Sequence, residues 1–280
     1  MSIVISKWPF NGLKRQANDF DVERAYDTMS SLCIPILLLD AIYVIFVCKF
    51  ADKLVAFKPK RLLLRDISIL WNGMNSLLSF YMFVSLLPEF LTSFSNGWYY
   101  TICKRGTFYT GYYSGHAMFL FCLSKMWELG DTVLLALRGR QIIFLHSFHH
   151  AIVLIQVCFT YYTAGSMARI GTVMNCFVHS IMYGYFAIQN IAPSVRQVAF
   201  MITILQLAQF VVACIGMISL ASYVLAGHQC DTEYRMIPVH FVIYAAFLAL
   251  FLNFYFKSYV KNEKPKSEHS KHRSTKQHQQ

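Results

Sequence analysis

Charged side chains are scarce in this chain. Asp, Glu, Lys and Arg together make up 14% of its 280 residues, against 56% hydrophobic and 16% aromatic. A soluble domain carries about 25% charged residues. The shortage excludes an ordinary soluble fold and points to a polytopic membrane protein, in keeping with a mean hydropathy of +0.43. An apolar h-region is missing from residues 1–28, which carry charges throughout, so no cleavable signal peptide is expected. A stretch long enough for a second soluble domain is missing as well, and so is an internal repeat. Acid is scarcer than base: 14 Asp and Glu stand against 25 Lys and Arg, a net charge of +11. The excess collects between the apolar runs and at the C-terminus, where it suits anionic lipid or an anionic small molecule. The bilayer is the expected partner, and no nucleic acid is.

What is abundant is long apolar sequence. A helix needs about 20 predominantly apolar residues to span the hydrocarbon. Seven such runs are present, at 30–50, 67–91, 111–137, 142–163, 168–190, 197–224 and 236–258. The expected fold is an all-α polytopic membrane protein with seven transmembrane helices. It comprises an N-terminal segment, 1–29, a membrane domain, 30–258, and a basic tail, 259–280, too polar to pack. Lys and Arg set the orientation. Sixteen fall on one side: Lys49, Lys53, Lys58, Lys60, Arg61 and Arg65; Arg138 and Arg140; Arg196; and seven from Lys257 onward. The other side has eight, including Lys104, Arg105, Arg169 and Arg235, and Lys125 remains inside. The richer side is expected in the cytosol. The N-terminal segment is then lumenal or external and the tail cytosolic.

Six of the eight cysteines fall within the runs and read as small apolar residues. Cys103 and Cys230 fall in two loops on the lumenal side, a compartment that permits disulfides. A Cys103–Cys230 bridge is expected; two free thiols are the alternative, because sequence does not fix connectivity.

Ionisable groups inside a membrane are costly and face a bundle interior or a watery cavity. In the fourth run, "LHSFHH" puts His146, His149 and His150 at i, i+3 and i+4, one face of a helix. In the third, "KMWELGDT" spaces Lys125, Glu128, Asp131 and Thr132 at offsets 0, 3, 6 and 7. The fifth aligns Asn175, His179, Met182 and Tyr183; the sixth aligns Thr203, Gln206 and Gln209. At 1.5 Å per residue the three histidines lie about 8 to 14 Å inside the cytosolic boundary. Each residue alone reads equally well as packing, a buried ion pair or interhelical glue. Packing does not require clustering at one depth, so the four stripes are expected to meet in one cavity opening toward the basic face. Asp40 is isolated, and His116 and His240 have no partners nearby in sequence.

Three chemistries fit such a cavity. An HxxHH box suggests metal, since imidazole suits iron, as in membrane desaturases and hydroxylases. A di-iron centre there needs roughly eight histidines in several boxes, and this chain has one box plus His179. A mononuclear site from His146, His149, His150 and His179 remains open. Seven spans also suggest a receptor or transporter, although nothing in the loops marks a ligand domain. The third chemistry is covalent catalysis, because a neutral imidazole is a competent nucleophile toward a thioester. A basic rim suits a ligand with several phosphates, such as coenzyme A, and an apolar interior suits an acyl chain.

The motifs "LWNGMNSLLSF" (Leu70–Phe80), "KMWELGDTVLLALRGR" (Lys125–Arg140), "FLHSFHH" (Phe144–His150), "NCFVHSIMYGYF" (Asn175–Phe186) and "TILQLAQF" (Thr203–Phe210) stand in one order over most of the chain. In that order and spacing the chain resembles the ELO family of very-long-chain fatty acid elongases. The resemblance implies condensation of acyl-CoA with malonyl-CoA to 3-oxoacyl-CoA, carbon dioxide and coenzyme A, the first step of the elongation cycle. It implies no metal and no tightly bound cofactor, with acyl-CoA and malonyl-CoA as substrates. It also implies an endoplasmic reticulum membrane location, the second to seventh helices around an acyl tunnel, and the 3-oxoacyl-CoA reductase, dehydratase and enoyl-CoA reductase as partners. By that resemblance His149 is the nucleophile, His146 and His150 orient it or exchange protons with it, and His179 with Asn175 positions malonyl-CoA. Lys125, Glu128, Asp131, Thr132, Tyr183, Gln206 and Gln209 form the supporting network, and Arg138 and Arg140 meet phosphates. The family's MYxYY reads Met182-Tyr183-Gly184-Tyr185-Phe186 here, one hydroxyl fewer, and no clear dilysine signal ends the chain. "ELGDT" is similar to the saturated and monounsaturated subgroup.

Overall fold

A computed structural model describes residues 20–56 and 61–260. The basic tail from Lys261, residues 1–19 of the N-terminal segment, and Lys58 and Lys60 lie outside the described residues. Among the described residues ten α-helices follow one another: α1 (Val22–Lys49), α2 (Ala51–Ala56), α3 (Arg61–Ser95), α4 (Trp98–Cys103), α5 (Tyr112–Glu128), α6 (Gly130–Leu137), α7 (Phe144–Thr163), α8 (Ala168–Ile188), α9 (Ala199–Leu225) and α10 (Ile237–Tyr255). Among the described residues there is no strand. Five helical segments are long and apolar enough to cross a membrane: Val22–Lys49, Leu63–Ser95, Phe144–Thr163, Ala199–Leu225 and Tyr234–Val260. The protein is therefore an all-α, multi-pass membrane protein.

Two differences from the apolar runs have local causes. Helix α1 starts at Val22, ahead of the first run, because the Asp21 carboxylate caps it, accepting the Arg24 N–H at 3.2 Å. The added turns bury Ala25, Tyr26 and Met29, and Tyr26 stacks on Tyr162 of α7. The third run is broken at Leu129 into α5 and α6. There the Leu129 N–H reaches the Met126 carbonyl at 3.4 Å and the Thr132 N–H reaches Leu129 at 3.2 Å, a three-residue spacing that tightens the helix. Gly130 follows at once, and the indole of Trp71 lies so close to its Cα that a side chain there would collide with it.

Helix α3 packs on α5 and α8, α8 on α9, α9 on α10, α10 on α7, and α7 on α5. Six helices thus contact one another in a closed cycle. Helix α1 packs onto α7 and α5, and α2 onto α6.

The end of the bundle away from Arg138 and Arg140 is tied together. Cys103 and Cys230 form a disulfide, joining the C-terminal end of α4 to the segment after α9. Arg169, counted above on the less basic side, lies on α8 with 0% of its surface exposed. It forks onto both Glu89 oxygens at 2.8 Å and donates to the carbonyls of Thr101, Lys104 and Arg105. All five of its N–H donors are thereby used. Asp231 accepts the Arg105 N–H at 2.9 Å, and the Asp231 N–H donates to the Cys103 carbonyl at 2.7 Å. Removing one partner of a buried ion pair strands the other. Arg169→Ala is therefore expected to cost about 3–5 kcal/mol, read as a lower melting temperature in detergent; a wild-type melting temperature would show that this plug carries no stability.

Candidate active site

The N-terminal half of α7 presents His146, His149 and His150 toward α8, which presents Asn175, His179 and Tyr183 one and two turns apart. Helices α5 and α6 bring Lys125, Glu128, Asp131 and Thr132; α9 brings Gln206 and Gln209; α3 brings Trp71 and Asn72. Between them lies a cavity of about 910 Å³. Arg65, Arg138 and Arg140 line it, with the four histidines and with Phe210 of α9 and Phe251 of α10, which cluster together.

Three hydrogen-bonded groups build the polar wall. In the first, the Lys125 ammonium donates to Glu128 Oε1 at 2.7 Å and to Asn175 Oδ1 at 3.0 Å, above the Phe121 ring. Ser124 donates to the same Glu128 oxygen, and Asn175 Nδ2 lies 3.2 Å from His179 Nε2. Glu128 Oε2 and His179 Nδ1, both buried without a hydrogen bond, face each other at 3.6 Å. In the second, Asp131 accepts from the Trp71 indole at 2.5 Å and from the Tyr183 hydroxyl at 2.6 Å, and stands 4.0 Å from His150 Nε2. In the third, Thr132 Oγ1 joins His146 Nε2 at 3.0 Å to the Tyr43 hydroxyl of α1 at 2.9 Å.

His149 and His150 differ from His146 and His179: among the described residues neither side chain makes a hydrogen bond, and His150 alone of the two has a carboxylate, Asp131, at 4.0 Å. The His149 ring lies against those of His150, His179 and Phe247, at centroid distances of 5.5, 6.4 and 5.1 Å. It lines the cavity. Gln206 rests on the Met182 sulfur at 3.3 Å, and Gln209 Oε1 is buried with no partner. Arg138 donates to Asn190 Oδ1 at 2.6 Å. Among the described residues no three His, Cys, Asp or Glu side chains converge as a metal would require. Thr132 and Asn175 instead engage the Nε2 atoms of His146 and His179.

The other histidines stay apart. His116 pairs with Tyr81 at 3.3 Å and His240 with Thr160 at 3.4 Å, while His269, His272 and His278 lie outside the described residues. Spacing overlooked Trp71, Tyr43, Asn190 and Phe247. Trp71 sits in the quoted "LWNGMNSLLSF" stretch but on no polar stripe, and Tyr43 is a single aromatic in an apolar run. Trp71 is held on three sides: Asp131 takes its N–H, Trp127 stacks on it at 4.4 Å, and Gly130 lets α6 approach. Gly130→Ala is expected to destabilise the fold by about 1–3 kcal/mol through overpacking and to reduce the near-ultraviolet circular dichroism of the stacked indoles. An unchanged spectrum would mean the pair does not depend on that close approach.

Comparison with known proteins shows the family. The family model "ELO: GNS1/SUR4 family" matches residues 28–267. The chain is 30% identical over 243 residues to long chain fatty acid elongase 2 of Caenorhabditis elegans, covering 85% of this chain and 88% of that protein. It is 34% identical over 206 residues to very long chain fatty acid elongase 6 of Drosophila melanogaster, covering 71% and 65%. With the human protein named very long chain fatty acid elongase 6 it shares 30% identity over 233 residues, 80% and 83%. The chain belongs to the ELO family.

Proposed function

We propose that this protein elongates fatty acids by condensing a long-chain acyl-CoA with malonyl-CoA, giving 3-oxoacyl-CoA, carbon dioxide and coenzyme A. One observation carries the reading: among the described residues His149 is the cavity-lining imidazole with neither a side-chain hydrogen bond nor a carboxylate within 4.0 Å, in a cavity lined by arginines and phenylalanines as well. The names of its relatives, fatty acid elongases in worm, fly and human, support the substrate class.

In the first half-reaction a His149 ring nitrogen attacks the thioester carbonyl. The C–S bond breaks, the thiolate takes the proton that the imidazole loses, and an acyl-imidazole and free coenzyme A result. In the second, malonyl-CoA loses carbon dioxide and its enolate carbon attacks the acyl carbon. The C–N bond breaks, 3-oxoacyl-CoA forms, and the imidazole regains one proton. His150, 4.0 Å from Asp131, orients the nucleophile, and His179 with Asn175 positions the malonyl unit. Arg138 and Arg140 bind coenzyme A phosphates through charge-assisted hydrogen bonds. No metal or tightly bound cofactor takes part, a reading supported by side chains that turn to Thr132 and Asn175.

The closed cycle of α3, α5, α7, α8, α9 and α10 supports an acyl tunnel within seven spans, α5 with α6 and α8 supplying the two additional crossings. Membership of the ELO family supports an endoplasmic reticulum location, and the distribution of basic residues supports a lumenal N-terminus and a cytosolic C-terminus. The reductase, dehydratase and second reductase of the elongation cycle are its expected partners, and saturated and monounsaturated acyl-CoAs its expected substrates.

The test is two-carbon extension of acyl-CoA by purified protein with labelled malonyl-CoA. Wild type is expected to form 3-oxoacyl-CoA in the presence of a strong chelator, and His149→Ala to lose both the product and a covalent acyl adduct on the His149 peptide. Full activity in His149→Ala would remove the acyl-imidazole; oxygen- and iron-dependent change of the acyl chain in place of condensation would establish a metal enzyme. Removing a charge-assisted contact costs about 1.5–3 kcal/mol. Arg138→Ala with Arg140→Ala is accordingly expected to raise KM for both coenzyme A substrates about tenfold or more while changing kcat little, as initial-rate kinetics would show.

A further inference from the structure

Helix α1 stands outside the cycle of six helices, yet one of its residues is bonded into the site. The Tyr43 hydroxyl lies 2.9 Å from Thr132 Oγ1, which lies 3.0 Å from His146 Nε2. Tyr43 and Thr132 are buried, with 5% and 0% of their surfaces exposed. A buried O–H must find an acceptor. Among the described residues the only one within reach of the Tyr43 hydroxyl is Thr132 Oγ1. Asp40, one turn earlier on α1, is not the acceptor: its Oδ1 is buried without a partner. Tyr43 therefore donates to Thr132. The Thr132 hydroxyl has a single hydrogen, and the other atom it meets is His146 Nε2. It donates there, so Nε2 is the acceptor and the ring proton sits on Nδ1. His146 lines the cavity, and among the described residues its Nδ1 makes no hydrogen bond.

We propose that Tyr43 is a positioning residue that acts through Thr132 to hold His146 as its Nδ1–H tautomer, making His146 a hydrogen-bond donor to a substrate oxygen in the cavity and not a base. The assignment of the tautomer stands on the hydrogen-bond chain alone; its role toward the thioester or malonyl oxygen rests on the condensing reaction proposed above. No proton is gained or lost by His146 in this role. It supplies a fixed dipole where negative charge grows on the carbonyl oxygen, as an oxyanion donor does.

The experiment uses full-length protein in nanodiscs with ¹⁵N-labelled histidine. The His146 ring signals, identified by their loss in His146→Gln, are expected to show Nδ1 protonated and Nε2 bare. Tyr43→Phe keeps the ring and removes the one donor that orients the chain, so the signals should move toward the Nε2–H form. Thr132→Val should do the same, and Thr132→Ser should restore the wild-type pattern. In condensation assays Tyr43→Phe is expected to lower kcat at least about tenfold, as loss of the correct tautomer does, with KM within about twofold. It should have no further effect in a His146→Gln background. A wild-type Nε2–H tautomer, or Tyr43→Phe with unchanged signals, overturns the proposal. So does a Tyr43→Phe loss that persists undiminished in His146→Gln. If the spectra come out as expected while wild type forms no 3-oxoacyl-CoA, the tautomer stands and the condensing reading fails.

Discussion

Hydrocarbon offers no water, so each polar group inside the bundle must be satisfied by another part of the same chain. This constraint gathers the polar stripes of α3, α5, α6, α7, α8 and α9 onto one interior wall. A lysine facing lipid would be ruinous. Lys125 is instead neutralised by Glu128 and held by Asn175. A carboxylate without donors would be equally costly; Asp131 receives an indole N–H from α3 and a phenol O–H from α8. These bonds link helices that the hydrophobic effect cannot sort, since apolar faces are interchangeable between lipid and neighbour.

The same requirement is met unevenly along the bundle. At the disulfide-bearing end Arg169 uses every donor it has, on Glu89 and three carbonyls. Midway the accounts are left open: Glu128 Oε2, His179 Nδ1 and Gln209 Oε1 are buried without bonds, and His149 makes none. A fully satisfied network is rigid, which suits a plug between loops. Open positions cost stability unless a ligand completes them. Asp40 Oδ1, Asn75 Nδ2 and the Tyr161 hydroxyl are buried without bonds as well, at residues that do not line the cavity, so open positions alone do not mark the working part; the histidines and arginines beside them do.

Much of the architecture could be read from spacing. Apolar runs located the principal helices, because helix length is set by bilayer thickness. The offsets of His146, His149 and His150, and of Asn175 and His179, placed them on common faces, because a helix repeats every 3.6 residues. Reading failed where a contact crosses the chain. Trp71 reaches Asp131 across 60 residues and Tyr43 reaches Thr132 across 89. Neither lies on a polar stripe, so nothing local marks it. Arg169 was counted on the lumenal side, but its burial was not legible, because its partner Glu89 stands 80 residues earlier. The break at Leu129 was hidden because "ELGDT" keeps helical spacing through it; the three-residue hydrogen bonds at Leu129 separate α5 from α6, next to the close approach of Trp71 to Gly130.

By itself the sequence determined the solvent of this protein, the helices that meet it, and the face of each helix that bears chemistry. Those properties follow from composition and short-range periodicity, which a chain carries whatever it packs against. Which faces meet was decided only in three dimensions. So was which histidines are left unbonded, which oxygen takes each donor, and how α1 reaches His146. These depend on distances between residues far apart in the chain, and hydrogen bonds a few ångströms long are set by packing, not by spacing along a helix.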